Sequence, residues 1–196
     1  MYRHILIPTD GSELAERAVT HGLSLAKFVG AKVTVIIVEE RLGGWLYTEQ
    51  IKEHTASVLD RAANAAKQAG VPCDTIHVLD MQPYEAIIAT ATDRGCDLIV
   101  MASHGRSGLS AVVLGSVTNK VLTYTKVPVL VVSVSTGRSL GDGSLPFVCV
   151  GAIRQHPTRS RVWIARCRVT GAGQRPTCCS RNHAALAGLR GLDMPS

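Results

Sequence analysis

The chain has 196 residues, with 21 Lys and Arg against 15 Asp and Glu, a formal net charge of +6, 46% hydrophobic residues and six Cys. Such a length holds one domain of ordinary size plus an appendage and suffices to bury a core; no run of about eighteen apolar residues occurs, which argues against a membrane-spanning helix. The charge sits at one end: residues 1–134 carry 12 basic and 13 acidic side chains, residues 135–196 nine Arg, no Lys and two Asp, so the excess is a property of the tail.

Met1-Tyr2-Arg3-His4 leads straight into a strand pattern with no apolar leader, so a cytoplasmic location and free thiols are expected. His4 to Pro8 (HILIP) is a short, continuously apolar strand, ended by the turn residues Thr9-Asp10-Gly11-Ser12. Ser12 caps the following helix, Glu13 and Glu16 suit its first turn, and Leu14, Ala18, Gly22, Leu25 and Val29 recur at helical spacing up to Gly30. Ala31 to Glu39 is a β-branched second strand. Ile51, Val58, Ala62, Ala65 and Ala69 mark a long helix ended by Gly70. Cys73 to Leu79 alternates polar and apolar residues, and Pro83 to Arg94 carries Ile87, Ile88 and Ala91 on a third helix. Asp97 to Ala102 and Pro128 to Val134 are the fourth and fifth strands, with a helix over Ser116 to Thr125 between them.

Regular β–α alternation predicts an α/β fold with a five-stranded parallel sheet and helices on both faces. Strands one, two and four are the most continuously apolar and so central, whereas strand three looks like an edge. Right-handed crossovers then favour the order 3-2-1-4-5, a Rossmann-like sheet of adenine-nucleotide-binding type, with its switch point between strands one and four. The loops there are Thr9 to Ser12 and Ser103 to Gly115.

The second loop belongs to LIVMASHGRSGLSAVVLGS (residues 98–116), which runs from a strand through small residues at Ala102, Gly105 and Gly115 to Ser116. Small residues let backbone approach a phosphate chain closely, and a helix starting near Ser116 offers the positive end of its dipole. Arg106 is a nearby cation able to pair with phosphate.

Over about residues 2–134 the chain resembles the universal stress protein family. HILIPTDGSELAERAV resembles its first strand and helix, and SHGRSGLSAVVLGSVTNKVLTYTKVPVLVV its closing segment. ATP-binding members of that family carry Gly-x2-Gly-x9-Gly followed by Ser or Thr. Gly105, Gly115 and Ser116 match that pattern, while Ala102 stands at the first glycine. Its methyl fits if the local φ is negative and crowds the phosphates if φ is positive. The resemblance implies that Asp10 and Val38 contact the adenosine portion, that Pro8 shapes its pocket, and that Gly105, Gly115 and Ser116 hold the phosphates. The implied ligand is ATP or a related adenine nucleotide, with or without Mg2+, and the implied role that of a stress-response sensor or regulator, not an enzyme.

Plainer roles exist for the same residues. Asp10 can stabilise the turn, the glycines can be turn glycines, and Ser116 can be an N-cap with or without phosphate. His104 lacks a nucleophile with a matching acid, so no catalytic residue is expected. Cys-x2-Cys, His-Glu-x2-His and Gly-x4-Gly-Lys spacings are all absent, which leaves a metal site or rapid phosphoryl transfer without support. The alternatives to nucleotide binding are a member acting by protein association alone, its affinity lost through Ala102, and a slow nucleotide hydrolase using His104 or Asp10.

The fifth strand is apolar on both faces although the order above puts it at a sheet edge. Val129, Leu130, Val131 and Val132 are therefore expected to pair with a twin across a two-fold axis, a homodimer that the resemblance also implies; coverage by the C-terminal tail is the alternative. Residues 135–196 show no sustained period of two or 3.6 and are expected to be an irregular, Arg/Gly/Cys-rich, disordered extension beyond a domain at 1–134. Val148 to Ile153 and Val162 to Val169 can form at most isolated strands. With only Phe147 and Trp163 among its aromatics, the tail offers nucleic acid a weak, salt-dependent attraction and no stacking readout.

Overall fold

The computed structural model describes residues 2–40, 49–80, 82–104, 114–134, 148–156, 159–168 and 177–178. Five parallel strands, β1 (His4–Pro8), β2 (Lys32–Glu40), β3 (Cys73–Asp80), β4 (Leu98–Ala102) and β5 (Val129–Val134), are linked by α1 (Glu13–Val29), α2 (Glu49–Ala69), α3 (Pro83–Asp93) and α4 (Ser116–Tyr124). They run in the order 3-2-1-4-5, as the strand patterns predict. Parallel register locks the centre, with Ile5 beside Leu98 and Val33, and Leu6 beside Ile99 and Thr34.

The two-faced strands divide the core. Ile5, Ile7, Val33, Val35, Val100 and Ala102 pack with α1 and α2 on one face, and Leu6, Ile36, Ile99, Met101 and Val131 with α3 and α4 on the other. Fully burying one such aliphatic side chain stabilises the fold by about 1.5–3 kcal/mol, so the sheet's interior is the chief source of its stability. Burial along α1 centres on Ala15, Ala18, Val19, Gly22, Leu23 and Ala26. Leu14, Leu25 and Val29, read as the core stripe from sequence, flank it half-buried. Cys73 and Cys96 are free thiols; burial, then the neighbouring Asp97 charge, pushes Cys96 up to about 11.

One expectation is corrected. Beyond residue 134 the chain is not irregular throughout, since β6 (Val148–His156), β7 (Arg159–Arg168) and β8 (Thr177–Cys178) continue the same sheet antiparallel to β5 and to one another. The outer side of β5 is paired within the chain, the alternative of coverage by the C-terminal tail: Val129, Leu130, Val131 and Val132 lie opposite Ile153, Ala152, Gly151 and Val150. The physical reason is the one that predicted a dimer, namely an apolar strand whose outward amides and carbonyls need partners. The segment that meets the need is intramolecular.

Candidate functional site

Because β1 to β5 are parallel, Pro8, Val38 and Ala102 all come to the carboxyl side of one sheet. The turn after β1 and the described ends of the loop after β4 follow neighbouring strands there, while their helices leave to opposite faces. Crevices of this kind are where open α/β sheets take ligands.

The turn after β1 is tightly determined. Thr9 donates its amide to the Ile36 carbonyl at 2.9 Å, and its Oγ1 accepts the Gly11 amide at 3.2 Å. Asp10 Oδ1 accepts the Ser12 amide at 3.0 Å, and Ser12 Oγ caps α1 by accepting from the Ala15 amide at 3.3 Å. Gly11 takes φ +76°, and a Cβ there would lie 2.8 Å from Val58 Cγ2 and 3.3 Å from His54 Nε2. Asp10 is thus a turn-forming residue, held in a fixed place at the mouth of the crevice by its Oδ1 bond.

At the end of β4, Ala102 is an extended strand residue paired with Val132, and it belongs to the buried cluster under α1. The positive-φ alternative for this position is therefore removed, and the methyl is accommodated within the core. The Ala102 carbonyl accepts from Thr118 Oγ1 at 2.9 Å, tying the strand end to the first turn of α4.

The loop's two ends are clamped: the Gly115 amide donates to the Ser103 carbonyl at 2.7 Å, and the Ser103 amide to the Val132 carbonyl at 2.8 Å. A Cβ on Gly115 would sit 3.1 Å from His104 Cα, so any side chain there requires the His104 backbone to give by a few tenths of an ångström. The Gly115 amide is thus committed within the neck. Gly115, not Ser116, is the N-cap, and no side chain caps α4; Ser116 is its exposed first residue.

The amides of Ser116, Val117 and Thr118 begin a helix with no acidic residue in its first turn, which leaves the positive end of its dipole without a built-in counter-charge. Ser103 Oγ and His104 Nδ1 are 3.0 Å apart, a local pair at the same neck. Gly105 and Arg106 lie outside the described residues.

Two further participants are Thr118 and Glu39. Thr118, buried, donates its hydroxyl to the backbone of β4 across the fold. Glu39, next to Val38 on β2, accepts from Thr55 Oγ1 of α2 at 3.0 Å. Thr118 has a sequence signal in its place within the first turn of a helix following a glycine loop; Glu39 has none.

A separate cavity of about 340 Å³ lies at the opposite end of the sheet, lined by Arg3, Ala26, Lys27, Lys32 and Pro72 among others. It borders the carboxyl ends of α1 and α2, and three of its lining side chains, Arg3, Lys27 and Lys32, are cationic.

The profile of the Universal stress protein family matches residues 1–133. Universal stress protein MJ0531 of Methanocaldococcus jannaschii is 35% identical over 141 residues, covering 67% of this chain and 82% of that protein. Among solved structures, protein MJ0577 of the same organism is 31% identical with a TM-score of 0.55, covering 67% of this chain and 95% of that one. A universal stress protein crystallised in complex with cAMP is 25% identical with a TM-score of 0.56, covering 69% of this chain and 99% of that one. Fold, loop arrangement and these matches agree: the chain belongs to the universal stress protein family.

Proposed function

We propose that the crevice between the β1–α1 turn and the start of α4 binds ATP or a related adenine nucleotide, with or without Mg2+, and that the protein works as a cytoplasmic sensor or regulator of the stress response. The observation that carries this reading is the neck at Ser103, His104 and Gly115. It delivers the loop to the amino end of α4, where an anion is the natural counter-charge. The cAMP complex of a relative supports the ligand class. Ala102 fits the reading because its methyl packs into the core.

In this assignment Pro8, Asp10 and Val38 face the nucleoside, and Ser116 with the first-turn amides, Gly105 and Arg106 face the phosphates. Binding, not turnover, is the activity: Asp10 is held in its turn and His104 is paired with Ser103.

Calorimetric titration of nucleotide-free protein with ATP, ADP and adenosine tests it. Ser116→Asp is the informative variant, since a carboxylate at the first position of α4 favours the helix while repelling phosphate. ATP affinity should fall at least about tenfold, equivalent to about 1.4 kcal/mol, with adenosine far less affected. An unchanged ATP affinity in this variant, or no binding by the parent at millimolar ATP, would refute the assignment. A turnover above about 1 s⁻¹ would demand a catalytic reading instead.

A further inference from the structure

We propose that the cavity at the amino end of the sheet is a second binding site, for a small phosphate monoester whose carbon part lies on the cavity floor. It stands at the other end of the strands from the nucleotide crevice and does not rest on that reading. The floor is apolar and buried, formed by Ala26, Ala31 and Val71, and the exposed rim carries Arg3, Lys27 and Lys32 around a volume of about 340 Å³. That size suits a small ligand, for which apolar walls with a few fixed polar groups are the usual form.

The three cations come from three elements that the backbone brings together. Gly30, at φ +70°, closes α1 in a left-handed cap, and the Ala31 amide donates to the Ala26 carbonyl at 2.9 Å. Only this tight turn separates Lys27, in the last turn of α1, from Lys32 at the start of β2. The Lys32 amide donates to the Arg3 carbonyl at 3.1 Å, which sets Arg3 next to it at the entry of β1. Among the described residues none of the three side chains has an ion-pair partner. The carboxylates at this end are engaged: both oxygens of Asp97 accept backbone amides, from Arg3 and His4, and Asp74 faces Arg94 at 3.4 Å. The ends of α1 and α2 oppose an anion with about half a unit of negative charge each, which three full positive charges outweigh. Arginine and lysine together match a phosphate group, the first through its planar fork and the second as point charges. A long polyanion is disfavoured, because residues 1–134 carry more acidic than basic side chains and so offer it no general attraction.

Phenyl phosphate is the probe, titrated into the isotope-labelled full chain at about 50 mM salt, where exposed charges are weakly screened, with amide resonances as the readout. It should bind with a Kd below about 1 mM and shift the amides of Ala31, Lys32 and Val71. Lys27→Gln/Lys32→Gln should weaken it at least about tenfold, while Lys27→Arg/Lys32→Arg, which keeps the charges, should hold it within about threefold. Inorganic phosphate, with no carbon part for the floor, should bind at least about fivefold more weakly than the probe. The proposal would be overturned by the absence of those shifts at about 10 mM probe, or by shifts confined to Ser116, Val117 and Thr118, which would put the probe in the nucleotide crevice. Unchanged affinity in the Gln variant, or inorganic phosphate bound as tightly as the probe, would overturn it too. So would a single-stranded oligonucleotide that shifts the same amides at lower concentration than the probe, since the cavity would then be part of a polyanion surface.

Discussion

Asp97 shows how much one carboxylate can arrange at a strand entry. Its Oδ2 accepts the Arg3 amide at 2.8 Å and its Oδ1 the His4 amide at 3.0 Å, so a residue just before β4 fixes the start of β1. His4, 5% exposed, then sets its Nε2 2.8 Å from Thr34 Oγ1 and its Nδ1 3.1 Å from the Arg94 carbonyl. A carbonyl can only accept, so the neutral ring carries its proton on Nδ1 and receives the Thr34 hydroxyl at Nε2. Asp97→Ala strands two backbone donors and should lower unfolding free energy by about 2 kcal/mol, read from urea midpoints. Asp97→Asn, with one acceptor oxygen, should recover part of it. If Asp97→Ala loses less than about 0.5 kcal/mol, water is satisfying those amides and the clamp is unimportant. Nothing in the sequence pointed to Asp97, because its partners are more than ninety positions away; Asp10 and Ser12 were legible because their bonds are local.

Among the elements, α1 depends on how closely its backbone lies on the sheet. A Cβ at Gly22 would come within 2.4 Å of Ile7 Cδ1 and 3.6 Å of Val100 Cβ. Gly22→Ala gains helix propensity worth about 1 kcal/mol yet overpacks this contact at a cost of about 1–3 kcal/mol. Net destabilisation is therefore expected, and Ile7→Val in the same protein should relieve part of it; independent, additive effects of the two changes would show that they do not share the contact. The helix periods were readable in the sequence, but their centres less so. On α2 the buried set is Thr55, Val58, Ala62 and Ala66, while Ile51 is left exposed. Apolarity was a poor guide there because the position nearest the sheet takes small residues, and a threonine with a partner on β2 serves as well as an alanine. The cap of α4 was misplaced by one residue because a serine after a glycine looks like a cap unless the loop's closure is known.

At the scale of the molecule, the order of the parallel strands could be derived because two-faced apolar runs must be central and crossovers are right-handed. For the C-terminal strands only the segments, Val148 to Ile153 and Val162 to Val169, could be read and not their place in the sheet, since a strand's partner is invisible in its own period. Stability should respond to pH through two histidines. Burial lowers the pKa of His4, reinforced by the Lys32 charge and opposed by the Arg94 carbonyl and the charges of Asp74 and Asp97. Burial alone lowers that of His21. With folded values below the unfolded value near 6.5, the unfolded chain takes up protons first. The contribution of both groups is then complete above about pH 6.5 and is lost as pH falls through the folded values. Urea midpoints at pH 7.5, 6.5, 5.5 and 5.0 should decline on the acid side, at no more than about 1.4 kcal/mol per pH unit for each histidine. The slope should flatten in His4→Gln and further in His4→Gln/His21→Gln, although the first change also disturbs the bonds to Thr34 and Arg94. A slope unaltered in the double variant would transfer the effect to groups that titrate with unfolding elsewhere, and a flat profile in the parent would mean that both rings protonate within the folded protein at no cost.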